Sequence, residues 1–238
     1  MDASVTQSQP AWWMQFYAWA EARKQQLIYG GAGVLLVGVI VAYVLYHRAE
    51  REKEAGAALS RIVSAAQISG DRREDPAEFL KIVTRYPGSK AAGQAVLRAA
   101  TAYFADNQFT EAQTQYERFL REYRESPLAG QAAFGVAVCL DAQGRTAEAS
   151  ERYQNLIERR PYDSMIPQVR LKLARIYEAQ DQPAKAQKLY EEVTRASAFG
   201  ATGAEAHSRL QRLLAQHPEL AAPPAGVTNS PVINLSQP

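Results

Sequence analysis

Five sets of residues return at an interval of 37 and fix what this chain can fold into. Ala100, Ala137 and Ala174 form one column, and Ala112, Ala149 and Ala186 a second. Tyr116, Tyr153 and Tyr190 keep the same spacing, as do Tyr103, Leu140 and Tyr177, and Phe119, Leu156 and Val193. The apolar pattern within each copy has helical period. Between the two alanine columns falls a break at Asn107, Gly144 and Asp181, residue types that tolerate the left-handed backbone where a helix ends. Pro183 stands where a first-turn proline opens a helix, Pro161 stops one, and Pro127 follows another. Each copy therefore reads as helix, tight turn, helix. Alanine lets two antiparallel helices approach closely, and the tyrosine four residues after the second alanine can fill the gap to the neighbouring pair.

Repeats built to one template stack into a solenoid, with end units that depart from the pattern. The boundaries predicted are a degenerate first repeat over 51–89, full repeats over 90–126, 127–163 and 164–200, and a capping helix over 201–217. The degenerate copy aligns Phe79, Ile82 and Tyr86 with Tyr116, Phe119 and Tyr123. Residues 218–238 hold five prolines and no period, and read as a disordered tail. The first helices of such a stack line a concave face. Repeat register assigns to it Gln94, Leu97, Thr101 and Phe104; Gln131, Phe134, Val138 and Asp141; and Gln168, Leu171, Arg175 and Glu178. Leu97, Phe134 and Leu171 can equally be core.

Ahead of the repeats, residues 27–46 read LIYGGAGVLLVGVIVAYVLY, twenty residues without a charge. A helix of that length spans roughly 30 Å, the hydrocarbon thickness of a bilayer. Tyr29, Tyr43 and Tyr46 lie toward its ends, with Arg23 and Lys24 before it and His47 and Arg48 after it. The segment reads as an uncleaved membrane anchor, since 26 residues precede it and no small-x-small cleavage site follows. Within residues 1–26, Trp12, Phe16 and Trp19 share one helical face, as in a helix lying in the headgroup region. Gly38 and Ala42 make one small-xxx-small pair, a weak basis for self-association. Lys/Arg counts near the span are two before it (Arg23, Lys24) and four after it (Arg48, Arg51, Lys53, Arg61), which leans toward repeats in the cytoplasm.

Twenty-seven basic against 25 acidic residues leave a formal charge of +2, too even for nucleic-acid binding by bulk charge. One cysteine, Cys139, permits no internal disulfide and reads as a buried small hydrophobe. No phosphate loop, metal-ligand spacing or nucleophile with a histidine base is present, so no catalysis, cofactor or metal is expected.

The helix pairs resemble the tetratricopeptide repeat. Ala137, Ala149, Tyr153 and Pro161 match that family's pattern, Leu140 departs from an aromatic, and Val96, Ala133 and Arg170 hold its tryptophan position. The resemblance implies an all-α solenoid of antiparallel helix pairs that binds proteins. Members that clamp C-terminal carboxylates use lysine and asparagine where this chain has Leu97/Phe134/Leu171 and Thr101/Val138/Arg175, so that activity is not implied. Anchor and repeats together resemble bacterial inner-membrane, single-pass ancillary subunits of the Sec translocon, related in their repeats to a periplasmic cell-division coordinator. That resemblance implies a periplasmic repeat domain, against the charge count, and translocon components or periplasmic chaperones as partners. Coordination of envelope growth or division, or a cytoplasm-facing receptor for client proteins, are the alternatives.

Overall fold

A computed structural model describes residues 14, 16, 19–21, 23–69, 74–197 and 199–221, without the side chains of 27, 28, 30–32, 34 and 66–69. The expected interfacial helix of 1–26 and most of the expected tail fall largely outside these residues. The chain divides into two units, residues 1–54 and 55–238. The described elements are all helical: α1 (Lys24–Ser69), α2 (Pro76–Arg85), α3 (Lys90–Ala105), α4 (Phe109–Glu122), α5 (Ala129–Ala142), α6 (Thr146–Arg159), α7 (Ile166–Ala179), α8 (Pro183–Ala196) and α9 (Ala201–Gln216). A single 3-10 turn, Pro218–Leu220, follows α9.

In the second unit each helix from α2 onward packs against the next. The turn within each pair is the same structure built three times. Asn107, Gly144 and Asp181 take φ of 59°, 76° and 56°, the left-handed region anticipated from their residue types. The amides of Gln108, Arg145 and Gln182 then reach back to the carbonyls of Tyr103, Leu140 and Tyr177, each at 2.9 Å. Asn107, Gly144 and Asp181 donate to Phe104, Asp141 and Glu178 at 3.0, 3.0 and 3.2 Å. Those two bonds are the Schellman motif, which satisfies carbonyls that a helix end would otherwise strand. At helix starts the chemistry is less uniform. Asp75 and Ser89 cap α2 and α3 through their side chains, while α4, α6 and α8 begin without a side-chain cap. Pro183 opens α8 at its first turn, where its missing N–H costs nothing.

The alanine columns are the floor of the core. Ala100, Ala137 and Ala174 on the first helices, and Ala112, Ala149 and Ala186 on the second, are all fully buried. Phe119, Leu156 and Val193 lie two turns farther along the second helices and are buried with them. Tyr116 bridges pairs as expected. Its ring lies over Gly135 of α5, where an added Cβ would come within 2.6 Å of the ring. Glycine at 135 is thus what lets the first tyrosine seat between repeats, and Arg98 and Lys172 stand at the equivalent positions.

The three tyrosines share one column but not one hydrogen bond. Tyr116 Oη lies 3.2 Å from Thr101 Oγ1. Tyr190 Oη donates to Glu178 Oε2 at 2.6 Å, a charge-assisted bond. Tyr153, fully buried, leaves its hydroxyl without a partner. An unmade bond inside a core costs more than a made one contributes, so the three hydroxyls differ in sign.

Two expectations follow for unfolding by urea or heat. Gly135→Ala drives a methyl into the Tyr116 ring and lowers stability by about 1–3 kcal/mol, whereas Gly56→Ala, with nothing within 4 Å of the added carbon, is neutral or stabilising. Tyr190→Phe removes the charge-assisted bond to Glu178, leaving that carboxylate only Arg209, and costs about 1.5–3 kcal/mol, while Tyr153→Phe removes an unpaired hydroxyl and costs nothing. Equal losses at the two tyrosines would contradict this assignment.

Candidate functional site: the inner face of the first helices

The residues predicted for the inner face come from α3, α5 and α7, one turn apart along each helix. Gln94, Gln131 and Gln168 are exposed, and none of their side-chain amides is hydrogen-bonded within the described residues. The second column divides. Leu97 and Leu171 are only 5% and 8% exposed, so they serve the core. Phe134 is half-buried, its ring 6.0 Å from that of Tyr153. In the third column Thr101 and Arg175 are exposed and Val138 is half-buried. Thr101 Oγ1 donates to the Leu97 carbonyl at 3.0 Å, which leaves its lone pairs to Tyr116. The fourth column is half-buried throughout. Phe104 packs against Phe109, with ring centroids 5.1 Å apart, and Glu178 is held by Tyr190.

Four of the twelve meet in one groove. A depression of about 380 Å³ between α3 and α5 is lined by Gln94, Leu97 and Thr101 from α3 and Gln131 from α5. Leu128 closes one side, and the Glu74–Arg98 ion pair, at 3.0 Å, borders another. The groove is thus mainly polar: Leu128 gives it one apolar side, Leu97 lies nearly closed off beneath it, and two unengaged amides stand on its walls. A primary amide both donates and accepts, as the backbone of an extended polypeptide does. Asp141, Gln168, Leu171, Arg175 and Glu178 lie farther along α5 and α7, and Phe104, Phe134 and Val138 nearer the core.

Repeat register puts Glu178 on the inner face without showing that it accepts from Tyr190. The signal was present, because an acidic residue precedes the column tyrosine by twelve positions at Asp141 and at Glu178 but not at Phe104. Geometry alone separates the two cases: Glu178 reaches its tyrosine and also lies 3.7 Å from Arg209, and Asp141 does not bond Tyr153.

The perturbed groups of this region are ones that burial holds neutral. Burial pushes the Cys139 thiol up to about 12, with the Glu117 charge adding to it, so the thiolate is scarce at neutral pH. Burial also raises the Tyr116, Tyr153 and Tyr190 hydroxyls; Glu178 raises Tyr190 further and Asp141 raises Tyr153. Among the described residues no three His, Cys, Asp or Glu side chains are grouped to hold a metal. What the face offers is shape and hydrogen-bonding amides.

Comparison with known proteins bears on the fold. Residues 97–164 and residues 168–196 each match a tetratricopeptide-repeat family. No curated protein matches the chain. Among solved structures, the MamA RS-1 ArsTM double mutant superposes with a TM-score of 0.55 at 12% identity, covering 72% of this chain and 87% of that one. A tetratricopeptide repeat protein from Parabacteroides merdae gives 0.54 at 13% identity, over 72% and 63%. The nearly identical TPR-like repeats of a putative kinesin light chain from Podosopora anserina give 0.52 at 19% identity, over 72% and 88%. At these identities the likeness is one of fold. Repeat register, Schellman turns and the two family matches agree on the fold: the paired helices stack as a tetratricopeptide-like all-α solenoid.

Proposed function

We propose that the chain is a membrane-anchored scaffold that holds an extended segment of a protein partner along the inner helices of its repeats. The observation that carries this reading is the groove shared by Gln94 and Gln131. Its free amides pair with a backbone and Leu128 offers a side chain one apolar contact, a combination that binds extended chains with modest sequence demands. Gln168 continues the same register on α7 and extends the ladder to a third repeat.

The anchor in this proposal is residues 27–46. Among the described residues no helix is long and apolar enough to cross a membrane. The side chains of six of those twenty residues, 27, 28, 30–32 and 34, lie outside that description. The remainder of the stretch supports a span: Leu35, Leu36, Val37, Val39, Ile40, Val41 and Leu45 are 49–72% exposed in α1. Apolar side chains exposed on every side of a helix call for a solvent other than water. The resemblance to single-pass ancillary Sec subunits then suggests a bacterial inner-membrane location, with periplasmic repeats beside the translocon or its chaperones. A second reading is favoured by Arg48, Arg51, Lys53 and Arg61, which outnumber Arg23 and Lys24 and lean toward repeats in the cytoplasm.

A photoreactive side chain at position 131, in native membranes, tests the partner directly. We expect an adduct with a translocon subunit or a periplasmic chaperone, absent when the probe is moved to the exposed Lys188 of the second helix α8. Equal adducts from both positions would contradict the groove. Protease added to spheroplasts decides between the two placements: digestion of the repeats supports the periplasm, and protection supports the cytoplasm.

A further inference from the structure

The connections from one helix pair to the next, 86–89, 123–128, 160–165 and 197–200, fall at the end of the repeats where the first helices begin. Two side chains there have no packing role. Tyr162 is 99% exposed and Phe199 106%, and they stand 37 residues apart, at one position of the template. Nothing in the core accounts for two large aromatic rings standing in water at equivalent loops.

The same end carries an apolar hollow and an excess of positive charge. A cavity of about 610 Å³ opens beside the 123–128 connection, walled by Phe119, Tyr123, Pro127 and Leu128. Lys90, Arg121 and Arg124 stand at its rim, with Glu122 and Glu125. Gly93 makes room for it, since an added Cβ there would meet the Tyr123 ring at 3.1 Å. Second helices end on Arg85, Arg121, Arg159 and Arg195, which the helix dipole alone would favour. Lys90, Arg124 and Arg160 go beyond that, so that seven basic residues at this end face four acidic ones, Glu122, Glu125, Glu158 and Asp163. At the opposite end, the turns within pairs carry Asp106, Glu111, Asp141, Glu148 and Asp181 against Arg145 and Lys185. One end of the repeats is therefore basic and aromatic, and the other acidic.

We infer that the basic, aromatic end rests on an anionic phospholipid surface, with Tyr162 and Phe199 seated in the headgroup region. Aromatic rings prefer that layer, and arginine and lysine are drawn to anionic lipid. This rests on the reading of 27–46 as a span. A protein docked on the two rings is the competing occupant, and it would leave no lipid contact.

The test uses the full chain in vesicles of phosphatidylcholine and phosphatidylglycerol that contain a photoreactive phosphatidylglycerol, with adducts mapped by mass spectrometry. The inference expects adducts on the peptides bearing Tyr162 and Phe199. It expects them to fall several-fold in the Tyr162→Ser/Phe199→Ser double variant, whose circular dichroism is unchanged, while adducts on 27–46 persist. Adducts on 27–46 alone, or loop adducts that ignore the double substitution, overturn the inference and leave the span standing. Loop adducts without any on 27–46 sink the span and keep the lipid-facing end. Adducts on neither overturn both.

Discussion

Everything in this solenoid depends on how near two helices can come. A side chain no larger than alanine at the crossing point, repeated on both helices of each pair, sets that distance. The six alanines of the two columns are completely buried, and every larger core residue is placed by the spacing they permit. The column tyrosine then works between pairs. Tyr116 closes over Gly135, and Tyr190 reaches the Glu178–Arg209 neighbourhood between α7 and α9. Because each unit touches mainly its neighbours, stability is shared by adjacent contacts and is not stored in one centre.

Uniform packing leaves variation to positions that packing does not use. The hydroxyl of the column tyrosine is one, and it finds a threonine, nothing, or a carboxylate in successive repeats. The exposed glutamines of the inner helices are another, kept alike at three copies although no core contact requires them. Residues that a fold leaves free yet repeats in register are the ones the proposed groove draws on. The loops joining pairs are the third such place, and there Tyr162 and Phe199 repeat an exposed aromatic ring at a position that Gly88 and Glu125 fill in the earlier connections.

The sequence was most legible where one residue type answers one backbone demand. Asn107, Gly144 and Asp181 announced the left-handed turns, Pro183 a helix start, and the alanine and tyrosine columns the core. Periodicity could not divide the second inner-face column, since a leucine on a first helix looks the same whether it lines a groove or a core. Burial resolves it, with Leu97 and Leu171 inside and Phe134 between. Gly135 was also silent in sequence, because its reason is a ring from the preceding repeat, nineteen positions away. The pairing of Glu178 with Tyr190 was hidden in the same way: spacing allows it at Asp141 too, and only side-chain geometry shows which carboxylate is engaged.

The most direct test of the packing argument is the unfolding free energy of two neighbouring alanine variants of α6. Ala149 is fully buried in the helix crossing, and Ala147, two positions away, faces solvent. The account predicts that Ala149→Leu loses about 1–3 kcal/mol or more as the paired helices are forced apart, while Ala147→Leu stays within about 0.5 kcal/mol of the parent. Equal stabilities for the two leucine variants would mean that close helix approach is not what holds the repeats together.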